Sequence, residues 1–142
     1  MKIKQLSIFL QNKMGSLSKP LEVLSVADVN IRAMCMADTS EFGILRLVVD
    51  DPIKGKAALE ENNFLVKITE IVGVVMNDTP GGLTNVLDVI KDNIIDLEYL
   101  YAFTQQTDKA ILLLHAEDID KLISILDENN IPMVPPEEVY NS

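Results

Sequence analysis

Two short stretches have the residue types and spacing of an anion site: Asn12-Lys13-Met14-Gly15-Ser16-Leu17 and Asp78-Thr79-Pro80-Gly81-Gly82-Leu83. In each, glycine precedes a run with helical apolar spacing, so the loop opens a helix. The first amides of a helix have no acceptor within it and sit at the positive end of its dipole, which suits them to hold a carboxylate. Glycine also lets the backbone approach a ligand closely, yet it serves equally in any tight turn that needs φ > 0. Taken alone, the loops leave both readings open.

Catalysis needs a nucleophile beside a base, a carboxylate pair in a cleft, or a metal cluster. The sequence assembles none of these, and we read from it no catalytic residue, no metal set and no cofactor site. His115 is the one histidine and stands among apolar neighbours on a predicted strand, which reads as a structural or surface histidine rather than a base. Cys35, in Ala33-Met34-Cys35-Met36, has no basic neighbour in sequence to lower its pKa, which reads as an inert thiol. The acidic pairs Glu60-Glu61 and Glu137-Glu138 read as solvated faces.

Composition narrows the partners. With 22 Asp and Glu against 12 Lys and Arg, the net charge is −10, which repels both nucleic acid and anionic membranes. No run approaches the about 18 apolar residues of a membrane helix, and no signal peptide follows Met1. A lone cysteine fits a reducing compartment, so the expectation is a soluble, cytoplasmic protein.

The positions of these residues follow from an internal repeat. Gly15-Ser16-Leu17-Ser18 aligns with Gly81-Gly82-Leu83-Thr84 at an offset of 66 residues, which also carries Val29-Asn30-Ile31 onto Ile95-Asp96-Leu97. Further on, Glu61-Asn62-Asn63 matches Glu128-Asn129-Asn130 at an offset of 67, so one residue is inserted near 39–43 or 105–109. The predicted division is 1–69 and 70–142.

Within each copy the periodicity reads strand, helix, strand, strand, helix, strand. Leu6, Ile8 and Leu10 alternate as a strand with one buried face, and Leu83, Leu87, Ile90 and Ile94 form a helical stripe. Pro20 places the start of the first helix between Ser16 and Ser18, which keeps the proline in the first turn. Asp51 and Asp118 read as helix N-caps, and the Asn62-Asn63 and Asn129-Asn130 pairs as helix stops. The closing strands are predicted at 64–69 and 131–134, the second limited by Pro132, Pro135 and Pro136.

Asp78-Thr79-Pro80-Gly81-Gly82-Leu83, followed after one helix by Ile95-Asp96-Leu97, resembles the ACT-domain pattern D-x-P-G-x-L and then N-I. The first copy resembles it too, with Met14 in place of the usual proline. The resemblance implies an α+β fold of two ferredoxin-like βαββαβ repeats. Their antiparallel sheets are expected to pair side by side through the second strands, giving eight strands with helices on one face. It further implies regulation of amino-acid metabolism, with a free amino acid bound at the interface between repeats. One site would combine Asn12, Met14, Gly15, Ser16 and Leu17 with Asp96 and Leu97. The other would combine Asp78, Pro80, Gly81, Gly82 and Leu83 with Asn30 and Ile31. Each set holds one Asn and one Asp beside a helix N-terminus, which fits a zwitterion. Tyr99 and Tyr101 stand where Ala33 and Cys35 stand in the first copy, so the two sites are expected to differ.

The expected function is thus a non-catalytic amino-acid sensor, acting on an enzyme in trans or through a homodimer. The alternative is a structural subunit of a biosynthetic enzyme that binds no ligand. A ferredoxin-like phosphatase would need a phosphate-gripping Arg in its loop, and neither loop has one. An RNA-binding sheet would need stacking aromatics on a basic surface.

Overall fold

The structure, a computed structural model, describes residues 1–11, 13–38, 41–104 and 109–141. The fold is α+β, and the two βαββαβ-like repeats are present. The chain divides into two compact units: the first comprises Lys4–Thr69 and Glu137–Ser142, the second Met1–Ile3 and Glu70–Pro136.

In the first unit, β1 (Lys2–Gln11), β2 (Ile31–Asp38) and β3 (Phe42–Val49) form antiparallel ladders in the order β2-β3-β1. Leu6, Ile8 and Leu10 of β1 alternate onto one face with Leu45 and Leu47 of β3, and all are buried. Two helices cover that face, α1 (Ser18–Val26) through Leu24 and α2 (Pro52–Glu61) through Leu59. Gly55 lets α2 come close. A Cβ there would lie 3.2 Å from Leu6 Cδ1 and 3.4 Å from Leu24 Cδ2. The other face of β1 buries two polar side chains, Gln5 and Ser7. They are satisfied by each other and by Thr69, with Gln5 Nε2 donating to Ser7 Oγ at 3.2 Å and Ser7 Oγ 3.0 Å from Thr69 Oγ1.

The second unit repeats the plan with β5 (Leu97–Thr104) and β6 (Lys109–Ala116) beside β4 (Leu65–Asn77), in the order β4-β6-β5. Val72, Val74, Leu112 and Leu114 line the buried face, under Val86 and Ile90 of α3 (Gly82–Asp92) and Leu122 and Leu126 of α4 (Ile119–Glu128).

Local signals act as the residues require. Helix α1 begins at Ser18, with Pro20 in its first turn. Asp51 and Asp118 cap α2 and α4, each carboxylate accepting the backbone N–H three residues on, at 3.1 Å. Asn62 and Asn129 end those helices, and Asn63 and Asn130 follow in the left-handed region at φ 67° and 57°.

Three expectations are corrected. The closing strand of the first copy and the opening strand of the second are one continuous strand, β4, because no turn residue interrupts Leu65 to Asn77. The expected closing strand at 131–134 reduces to a single bridge, Val74↔Met133, since Pro132 and Pro135 have no N–H to extend a ladder. The described strands therefore number six rather than eight. Each second strand, β2 and β5, is the edge of its unit's sheet.

One element has no counterpart in the sequence reading: a short helix, α5 (Pro136–Tyr140), with Glu137 and Glu138 in its first turn. Proline at a helix start followed by acids was the available signal. Among the described residues no helix is long and apolar enough to cross a membrane.

Candidate functional site

The two glycine loops open α1 and α3 as the sequence requires. Gly15 and Gly81 take φ values of +82° and +88°, the left-handed region that side-chain-bearing residues avoid. Gly81 is the N-cap of α3, and no side chain caps that helix. The turn uses one amide, Gly82 N–H donating to Thr79 O at 3.1 Å, while the next amides of α3 have no intrahelical acceptor. Gly82 has a steric reason as well, since a Cβ there would run into the Asn77 carbonyl oxygen. In the first loop Ser16 N–H donates to Lys13 O at 3.2 Å, and Ser18 Oγ donates to Gly15 O at 3.1 Å.

Most predicted site residues are accessible. Met14 is fully exposed, Leu17 and Leu83 are about two-fifths exposed, and Asp78, Pro80, Gly81, Asn30 and Asp96 lie at the surface. Gly82, Ile31 and Leu97 are partly buried. Asn12 lies outside the described residues. Asn30 is fixed by its backbone, donating to Asp50 Oδ1 at 2.9 Å and accepting from Asp50 N–H at 2.9 Å.

Within a unit, loop and second-strand start do not meet. In the first unit Gln11 pairs with Phe42 and Asp38 with Gly43, whereas Ile31 pairs with Val49 at the other end of β3. At ~3.3 Å per residue the two ends are roughly 20 Å apart, well beyond the span of a free amino acid. In the second unit Asn77 pairs with Lys109, and Leu97 with Ala116, with the same result.

What each loop does meet is a turn that sequence reasoning treated only as a helix stop. In the first unit a cleft of about 460 Å³ lies between the loop and the α2–β4 turn, lined among others by Phe9, Lys13, Ser16, Lys19, Asn62 and Phe64. The second unit has a cleft of about 380 Å³ lined by the equivalent positions, among them Val75, Gly82, Asn85, Asn129 and Ile131. Asn62 and Asn129 are held alike, each Nδ2 donating to the carbonyl four residues back, at 2.9 and 2.8 Å. The amide oxygen is left by that bond to face other donors. The available signal for this wall was the repeat of the Asn pairs, at an offset of 67 residues against 66 for the loops.

His115 is occupied structurally. Its Nδ1 lies 2.9 Å from Glu70 O and so carries the proton, its Nε2 lies 3.6 Å from Glu98 Oε2, and its ring stacks on Tyr99 at 5.0 Å. Among the described residues no three His, Cys, Asp or Glu side chains group as a metal site.

Comparison with known families matches residues 1–141 to a family described as an ACT domain pair. The chain belongs to that family. Comparison with curated protein sequences finds no match. Among solved structures, this ACT pair is similar to a protein from Bacteroides thetaiotaomicron, 37% identical over all of this chain and 98% of that one, with a TM-score of 0.93. It also shares the fold of the regulatory subunit of aspartate kinase from Thermus thermophilus, at 12% identity, 88% and 91% coverage and a TM-score of 0.61. The regulatory subunit from Thermus flavus is similar at 14% identity, 89% and 92% coverage and a TM-score of 0.57. ACT pairs are regulatory domains, and their fold is the one found here.

Proposed function

We propose that this ACT pair is a non-catalytic, cytoplasmic sensor that binds a free amino acid and regulates amino-acid metabolism. The observation that carries the reading is the left-handed glycine at the mouth of α1 and of α3, which leaves helix-start amides directed at a ligand carboxylate. The loop Asp78, Pro80, Gly81, Gly82 and Leu83 is the stronger holder, since Pro80 stiffens it and Gly82 admits backbone only. Asn12, Met14, Gly15, Ser16 and Leu17 form the second.

Asn30-Ile31 and Asp96-Leu97 supply the other half of each site. They lie far from the loop of their own unit, which supports a role beside a loop from elsewhere. The reading pairs Asp96 with the first loop and Asn30 with the second, so that Asp takes the ammonium. Similarity to regulatory subunits supports action on an enzyme in trans, and the edge strands β2 and β5 support self-association.

A thermal-shift and calorimetric panel of the twenty amino acids at millimolar concentration tests the reading. Binding by at least one is expected, and silence across the panel would overturn it. Replacing Asp78 and Asp96 with Ala should then abolish the ligand response; partner binding that changes without any ligand dependence would favour the purely structural subunit.

A further inference from the structure

The two clefts occupy the same place in each repeat but carry different charges. Lys13 and Lys19 line the first cleft, and at the offset of 66 residues the second copy has Thr79 and Asn85 in their place. No Asp or Glu lines the first cleft among the described residues, although the chain carries ten net negative charges. Two cations are thus gathered in one cleft of a chain that is acidic overall.

A second observation is independent of charge. Ser16 Oγ is buried and has no hydrogen-bond partner among the described residues. A buried hydroxyl without a partner is costly and rare in native proteins, and this one belongs to the residues that line the cleft. In the second copy the equivalent residue is Gly82, where a side chain does not fit. The first repeat alone therefore has an unpartnered hydroxyl on a residue that lines a cleft with two lysines. The remaining wall is mixed, apolar from Phe9 and Phe64 and polar from Asn62, and the cleft falls within the roughly 300–1,000 Å³ of small-molecule sites.

We infer that this cleft is the side-chain subsite of the first loop and that it takes an amino acid whose side chain carries a carboxylate. The inference rests on the amino-acid-binding reading above. The α-carboxylate lies on the amides that open α1, and the side-chain carboxylate enters between Lys13 and Lys19, accepting from Ser16 Oγ. The second cleft is lined by a single lysine, Lys109, rather than by a pair, so one acidic ligand binds per chain.

The test compares aspartate and glutamate with asparagine and glutamine, which match them in shape and lack the charge. Calorimetry on the full chain should give one site per chain and at least about tenfold tighter binding of an acid than of its amide. The double variant Lys13→Gln, Lys19→Gln should erase that preference while the affinity for the amide changes less than about threefold. Both lysines are exposed, so the variant keeps the fold, which circular dichroism checks. Ser16→Ala should weaken the acid severalfold and leave the melting temperature unchanged or higher. Equal or tighter binding of the amide, two equivalent acidic sites, or a preference untouched by the lysine variant would each overturn the inference and leave the sensor reading standing. Succinate bound as tightly as aspartate would overturn the amino-acid part of it. If no amino acid binds at all, both fall together.

Discussion

The backbone N–H of Lys4 donates to Tyr140 Oη at 2.8 Å across 136 residues of sequence. A second bond supports it, Arg32 Nε donating to Tyr140 O at 2.8 Å, and Val139 beside them is fully buried. The C-terminal turn is therefore part of the first unit, not a tail. Tyr140→Phe leaves the Lys4 amide without that acceptor and should cost about 1 kcal/mol, the worth of a typical hydrogen bond. Urea unfolding checks it, and an unchanged midpoint would show the bond to be inert.

The same tyrosine sets an alkaline limit. Burial pushes its hydroxyl above the ordinary value of 10.0; the bond from Lys4 N–H opposes this and the Glu137 carboxylate adds to it. A group whose folded pKa is raised holds its proton more tightly when folded, so its contribution is complete below the unfolded value and lost as pH rises through the folded one. Lys2 acts with the same sign, raised first by its hydrogen bond to Asp120 at 3.0 Å and then by the charges of Asp120 and Glu70. Stability should thus fall above about pH 10, and Tyr140→Phe should flatten that fall. Melting temperatures followed from neutral to alkaline pH decide it; a decline as steep in the variant would sink the assignment.

The glycine loop offers a graded test of geometry. Gly81→Ala forces a side chain into the left-handed region, at a cost of about 1–2 kcal/mol. Gly82→Ala is worse, because its Cβ meets backbone, the Asn77 carbonyl oxygen, which cannot move aside without disturbing the end of β4, where Asn77 pairs with Lys109. Thermal denaturation should therefore rank wild type above Gly81→Ala and Gly81→Ala above Gly82→Ala. Any ligand response should be lost in Gly82→Ala before Gly81→Ala.

The repeat was legible because packing imposes it: Leu6, Ile8 and Leu10 must alternate to face α1 and α2, and Asp51 and Asp118 must cap the helices they precede. Continuity of β4 was not, since the unit boundary at Thr69–Glu70 falls inside a strand and only turn residues mark boundaries in sequence. The short helix α5 was hidden for a related reason. Its one buried residue, Val139, gives no periodicity to detect, and its anchor is the long-range bond to Lys4. For the candidate site, the loops announced themselves through glycine. The facing wall did not, because Asn62 and Asn129 serve a helix end and line a cleft with the same residues, and sequence shows only the first role.

Ile94 breaks two local rules at once. It follows α3 with φ at +55°, where a β-branched side chain is strained, and its side chain is 87% exposed. The equivalent residue of the first copy is Asp28, at φ +58°, a type that tolerates this backbone. Nothing in the folded unit repays the isoleucine, since exposed apolar area gains nothing from folding. Ile94→Asn should therefore stabilise the protein by about 1 kcal/mol, by relieving the left-handed strain without touching the core. Denaturant unfolding measures it directly, with the midpoint moving to higher urea at constant slope. A neutral or destabilising result would mean that Ile94 makes a contact in solution, and a concentration-dependent shift in that midpoint would identify it as one between copies of the chain.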